Sequence, residues 1–257
     1  MKPIVRHILE GVVLLSVPMV WLMEGSISSS RRSLATCQGL STVIADSSSL
    51  RFISTDDVKG WMADYGTYIG QRLDSVDLDK VETIIRGKSA VDEAEAWLTD
   101  DGYIHITLTQ RRPAIRFAGS GGSGFYSDAS GFVFPLHPGF SARVPVVDGD
   151  FPVKVEEGYK GEIEDPEQRL WLLRAIGLVE YMKGTVWEGN IGQITASRNG
   201  EITMVPREGS ERFLFGQPVD LKRKFTRMGV YYTAVAPSRE TPPETVDLRF
   251  SSQIICK

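Results

Sequence analysis

An uncharged apolar run from Gly11 to Met23, behind a short head carrying Lys2 and Arg6, constrains this chain more than any other feature, because no comparable run occurs in the rest of it. With Ile8 and Leu9 added across Glu10, it offers about 16 residues against the roughly 20 that span a bilayer. Strongly apolar residues at about −0.3 to −0.6 kcal/mol each can offset one carboxylate near the edge of the hydrocarbon. The exit, Glu24-Gly25-Ser26-Ile27-Ser28, lacks the A-x-A pattern of a cleaved signal peptide. The segment therefore predicts a cytoplasmic head over 1–7, an uncleaved membrane helix over 8–24 and a Ser-rich linker over 25–34. Lys2 and Arg6 place the amino terminus inside against Arg31 and Arg32 beyond the segment, so the bulk of the chain faces away from the cytoplasm. Two cysteines, Cys37 and Cys256, then lie where a disulfide is permitted. Arg31 and Arg32 separate Cys37 from the apolar run, which rules out a lipoprotein cleavage site at Leu34-Ala35-Thr36-Cys37.

The remainder, about 220 residues, is long enough for two domains with real cores. A strand is expected over Leu40–Ile44. A helix comes next, capped by Ser54 or Thr55 and opened by Asp56 and Asp57, with Val58, Trp61, Met62 and Tyr65 on one face. A second helix starts at the Asp77 cap, with Leu78, Val81, Ile84 and Ile85 as its buried stripe. Ala90–Leu98 and Tyr103–Leu108 read as strands joined by the turn formers Thr99-Asp100-Asp101-Gly102. This β-α-α-β-β module, 35–113, closes at Pro113. A second region, 114–257, is richer in Gly, Pro and short strands.

In that second region residues 119 to 124 read Gly-Ser-Gly-Gly-Ser-Gly, formally a dinucleotide fingerprint. The next ten residues, Phe125 to Phe134, read as strand, turn and strand rather than the helix such a loop must open. Asp165 and Pro166 open a helix with Leu172, Leu173, Ile176 and Val179 as its core face. Asn199-Gly200 marks a hairpin between Gln193–Ala196 and Glu201–Val205. A helix over about Val219–Tyr232 carries Leu221, Phe225, Met228 and Tyr232 on one stripe and Lys222, Arg223 and Lys224 outward. Thr245–Phe250 and Gln253–Cys256 close the chain as two strand-like runs. In the first, Val246, Leu248 and Phe250 alternate with Asp247 and Arg249.

Reacting groups do not assemble in this sequence. His7, His105 and His137 have no partner at metal-ligand spacing, Ser123 lacks a nucleophile elbow because Phe125 stands where its last Gly belongs, and two isolated cysteines make no zinc knuckle. Acidic clusters such as Glu156-Glu157 are ordinary solvated surface. A net charge of −4 with both signs interspersed argues against a nucleic-acid surface. The reading is a non-enzymatic protein with no cofactor, no metal and no small-molecule substrate.

Several stretches resemble the bacterial cell-division family FtsQ/DivIB. Val76-Asp77-Leu78-Asp79-Lys80-Val81, Ala90-Val91-Asp92-Glu93-Ala94 and the run from Tyr103 to Gln110-Arg111-Arg112-Pro113 look like its POTRA (polypeptide-transport-associated) half. Gly124-Phe125-Tyr126-Ser127-Asp128 with Gly131, Val144 to Gly149, Leu214-Phe215-Gly216 and Val246-Asp247-Leu248-Arg249-Phe250 are similar to landmarks of its β domain, in the same order. The resemblance implies an α+β fold: a transmembrane helix, a POTRA domain (β-α-α-β-β) and a larger β-sheet domain with flanking helices. It implies a scaffold in the cell inner membrane at the division septum that recruits FtsB- and FtsL-type single-pass proteins, the former by strand addition at the last strand. Arg249 would then pair with an acidic residue of the partner, Phe250 would be the aromatic anchor, and Ser252 and Gln253 would continue the edge. Against that, the period-2 pattern equally fits Phe250 in the core beside Val246 and Leu248. The resemblance also puts Cys37 and Cys256 in different domains, implying two free thiols. Phe250 stands where Tyr is usual, Gln253 where Gly can occur, and the cytoplasmic head is short. The alternatives are another POTRA-bearing assembly or translocation factor, or an anchored cell-wall hydrolase.

Overall fold

Ser54 and Asp57 fix where the first helix begins. The Ser54 hydroxyl accepts from the Asp57 amide while the Asp57 carboxylate accepts from the Ser54 amide at 2.8 Å, a closed capping box. This detail comes from a computed structural model, which describes residues 35–119 and 122–257. The expected head, membrane helix and linker lie outside the described residues; among the described ones no helix is long and apolar enough to cross a membrane. The chain divides into two units, 1–110 and 111–257.

The first unit contains β1 (Gly39–Ile44), α1 (Thr55–Trp61), α2 (Leu78–Arg86), β2 (Val91–Leu98) and β3 (Tyr103–Gln110). The strands form a three-stranded sheet in the order β1-β3-β2, with β3 parallel to β1 and antiparallel to β2. Val58, Met62, Val81 and Ile85 are buried on the helical side, as are Ile104, Ile106 and Leu108 at alternate positions of β3. Tyr65 falls outside the expected apolar face. Helix α1 tightens into a 3-10 turn at Met62–Asp64, and the Tyr65 hydroxyl accepts instead from the Asp77 amide at 2.9 Å, steadying the cap of α2. Gln110 closes β3 and is buried. Its Oε1 accepts from the Ile53 amide at 2.9 Å, and its Nε2 donates to the Asp46 carboxylate and the Leu50 carbonyl at 3.0 Å each. One amide thus pins the whole loop from Asp46 to Ile53.

The second unit contains β4 (Ile115–Ala118), β5 (Gly124–Ser127), β6 (Phe132–Pro135), β7 (Val146–Gly149), β8 (Gly161–Glu162), α3 (Pro166–Met182), α4 (Val186–Asn190), β9 (Ile191–Ala196), β10 (Ile202–Pro206), β11 (Arg212–Gly216), α5 (Leu221–Val230), β12 (Thr245–Asp247) and β13 (Ile255–Cys256). They form one ten-stranded sheet in the order β13-β12-β11-β10-β9-β7-β4-β5-β6-β8. The pairs β4/β7, β7/β9 and β11/β12 are parallel and the rest antiparallel, so the sheet is mixed. Its core joins Phe117, Val147, Ile194, Met204, Phe213 and Phe215 from the strands to buried residues of α3 and α5. The architecture is α+β. Strand β5 begins at Gly124, the last residue of the Gly-rich run, so the run leads into a strand and not into the α-helix that a dinucleotide fingerprint opens.

Two expected helix faces need correction. Leu173 is 38% exposed, while Trp171, Leu172, Ala175, Ile176, Leu178, Val179 and Met182 are buried. A stripe through 172, 175/176, 179 and 182 leaves position 173 about 100° round the helix, toward solvent. On α5, Lys224 is buried rather than outward. Three consecutive basic residues cannot share one helical face, and Lys224 lies three residues after Leu221 and four before Met228, inside their stripe.

Candidate functional site

The chain bends at Asp247, and that bend decides how the residues after it are presented. The Asp247 carboxylate accepts from the Arg249 amide at 3.0 Å, an Asx turn that ends β12. Leu248 remains fully buried, with its amide donating to the Leu214 carbonyl at 3.0 Å, but the alternation stops there. Phe250 is 45% exposed instead of joining Val246 and Leu248 in the core. Ser252 and Gln253 do not continue a strand; they lie exposed in the loop between β12 and β13.

Strand β12 is also not the outer strand of the sheet. It runs parallel to β11, through Arg212↔Thr245, Phe213↔Val246 and Leu214↔Asp247, and on its other side pairs antiparallel with β13, through Val246↔Cys256 and Asp247↔Ile255. The Thr245–Asp247 part of the expected open edge is therefore occupied by the chain's own closing strand.

Arg249 is held from two directions. Its Nε and Nη2 donate to the two oxygens of Asp247 at 3.0 and 2.7 Å, and Nη1 reaches Glu201, in the turn of the β9–β10 hairpin, at 3.4 Å. The hydrogen bond from Arg249 holds the Asp247 carboxyl below its usual range. Gly216, at the end of β11, makes room for this arrangement. Its φ is +71°, and a Cβ there would lie 2.8 Å from Arg249 Cγ. Beside it Lys224 Nζ donates to the Gln217 carbonyl at 2.7 Å and sits 4.8 Å from the Phe215 ring centroid. Burial pushes this ammonium below its ordinary pKa. The side-chain Nε2 of Gln217 in turn donates to the Asn199 carbonyl at 2.7 Å, tying the hairpin tip to the same corner.

Arg227, on α5, is a residue that sequence reasoning does not select. Both its terminal nitrogens donate to main-chain carbonyls of the exposed loop, Nη1 to Phe250 and Nη2 to Ser251. No local pattern points to it, because the contact joins a helix surface to a loop far along the chain.

The first unit contrasts with this corner. The outer side of β2 is covered by α2: the Ala96 amide donates to Glu82 at 2.9 Å, Arg86 donates to the Ala94 carbonyl at 2.6 Å, and Glu82 and Arg86 pair at 2.8 Å. A strand seeking these groups finds them already bonded. His105 stacks on Trp97 with centroids 5.5 Å apart and bonds Thr99 at 3.0 Å. Among the described residues no group of His, Cys, Asp and Glu could hold a metal ion. Cys37 is buried and Cys256 half-buried, both with free thiols.

The chain thus joins a β-α-α-β-β domain to a mixed-sheet domain with a corner built from an Asx turn, a clamped loop and a short closing strand. Residues 35–109 match the POTRA-like domain, and residues 112–257 match the family described as FtsQ/DivIB, C-terminal related. The chain belongs to the FtsQ/DivIB family, a family of non-enzymatic cell-division scaffolds, and its two domains support that role. No curated protein matches the chain.

Proposed function

We propose that this protein is a membrane-anchored scaffold of the division septum that recruits FtsB- and FtsL-type single-pass partners through the β12–β13 corner of its second domain. The proposed layout places the head, 1–7, in the cytoplasm, the anchor, 8–24, in the cell inner membrane, the linker over 25–34, and the POTRA domain, 35–113, and β domain, 114–257, outside. Neither catalysis nor a cofactor enters this role.

The observation that carries the reading is the presentation of Phe250. A large aromatic side chain stands 45% exposed on a loop whose carbonyls are fixed by Arg227, beside a short terminal ladder. Aromatic residues held rigidly on a surface bury large area at small entropic loss, and neighbouring strand edges supply main-chain hydrogen bonds to an extended partner. Arg249 flanks this anchor, and a partner carboxylate would compete with Asp247 and Glu201 for its guanidinium.

The test is photo-crosslinking in cells from position 250, with Phe250 replaced by a photoreactive aromatic and the captured protein identified by mass spectrometry. Capture of a small single-pass coiled-coil protein is the expected result. Capture of an abundant envelope client would favour an assembly or translocation factor instead. Loss of all capture in a folded, functional protein would remove the site from this corner.

A further inference from the structure

The closing strand β13 is a weakly held ladder element. It has two residues, and Ile254, Ile255 and Cys256 are all half-buried, whereas Val246 opposite is fully buried. Its pairing adds reciprocal bonds between Thr245 and Lys257, 3.0 Å in each direction. Strands this short have little stability of their own. Strand β12, by contrast, is also held on its other side by its pairing with β11. The loop between them is also anchored unevenly. Arg227 holds Phe250 and Ser251, while Ser252 and Gln253 are exposed, so β13 can swing away beyond Ser251 without moving Phe250.

We infer that β13 is an intramolecular stand-in for the partner's strand, and that recruitment proceeds by its displacement from β12. This rests on the proposed scaffold function and adds to it a competing occupant and a recognition pattern. The register of β13 describes what fits. The incoming segment is extended and antiparallel to β12, with an aliphatic side chain at the place of Ile254 and a small apolar one at that of Cys256, the two residues of this segment that pack against the core. The residue between them, at the place of Ile255, lies opposite Asp247 on the other face. Because binding requires the undocked form, the apparent affinity is reduced by the fraction of molecules in which β13 is released.

The native Cys256 provides a lock. Thr245 and Lys257 exchange both main-chain bonds, so Val246 and Cys256 form the adjacent non-hydrogen-bonded pair, with an expected Cα separation of about 4.5 Å that a disulfide can bridge. In the full-length chain, Val246→Cys closes this lock on oxidation. Binding of the purified FtsB-type partner is measured for the wild type, for oxidised and reduced Val246→Cys, and for Val246→Cys/Cys256→Ser, which cannot close. The expected results are loss of binding in the oxidised protein alone and its recovery on reduction, with the double variant binding as the reduced one does. Deletion of residues 254–257 is expected to tighten binding about tenfold. Equal binding by the oxidised and reduced forms, with the wild type binding, overturns the displacement while leaving the scaffold reading intact. No binding by the wild type overturns both. In hydrogen exchange on the wild-type complex, β13 amides should lose protection while β12 amides keep it. Gained protection at β13 would place the partner on its outer side and refute displacement.

Discussion

Arg249 and Asp247 form a bidentate ion pair across a single turn, with the Arg249 amide bonded to the same carboxylate. The arginine that the family resemblance assigns to an acidic partner is thus already satisfied within the chain, and a partner carboxylate can gain only the difference between two pairings. Asp247 is the better buried of the two, with its side chain 10% exposed against 42% for Arg249. Its carboxyl is held below the usual range, first by the Arg249 hydrogen bond. A carboxyl depressed in the folded state stabilises that state above its unfolded pKa of about 3.9, and loses this contribution as pH falls through the lower folded value. Urea titrations should therefore show the second domain weakening below about pH 4, and Asp247→Asn should flatten that part of the profile. Arg249→Ala should cost under about 1 kcal/mol of stability at pH 7, since its end of the pair is solvated.

Gln110→Leu should destabilise the first domain by about 2 to 4 kcal/mol, because it orphans the Ile53 amide and the Leu50 carbonyl in a buried loop. Equilibrium denaturation gives the magnitude. Hydrogen exchange should show the loop from Asp46 to Ile53 opening before the sheet, and a change under about 0.5 kcal/mol would refute the stapling role.

Gly216→Ala should cost about 1 to 2 kcal/mol, since an L residue is strained at this positive φ and its Cβ would meet Arg249. If the two residues share one space, the double change Gly216→Ala/Arg249→Ala will lose less than the sum of the single changes. A double-mutant cycle by thermal unfolding measures this, and strict additivity would show that Arg249 does not pack there.

Lys224→Met should leave stability at pH 7 unchanged or raised, because a flexible apolar chain fills the same space without a desolvated charge. The wild-type ammonium has a lowered pKa in the folded state, mainly from burial. The unfolded chain therefore holds the proton more tightly, and wild-type stability gains as pH rises toward about 10.4. The Met variant should lack that gain. A drop above about 2 kcal/mol at pH 7 would mean instead that the bond to the Gln217 carbonyl dominates.

Much of the architecture is legible in local chemistry. Ser54 and Asp77 announce their helices because an N-cap needs only its own turn, and Asn199-Gly200 announces its hairpin because few residues accept that backbone. The corner around Asp247 is harder. A period-2 pattern through Val246, Leu248 and Phe250 carries no sign that Asp247 turns its carboxylate onto the backbone two residues later, so the pattern extends the strand too far. The run Gln253–Cys256 is legible as a closing strand, of which Ile255–Cys256 pair with β12, whereas the inward Lys224 and the reach of Arg227 depend on tertiary contacts, which propensity does not encode.

The bonds from Glu82 and Arg86 to β2 give the first domain a handedness in how it can associate. The Ala96 N–H and the Ala94 carbonyl are already bonded to α2 side chains, so a neighbouring strand must displace Glu82 and Arg86 before it can use those two groups.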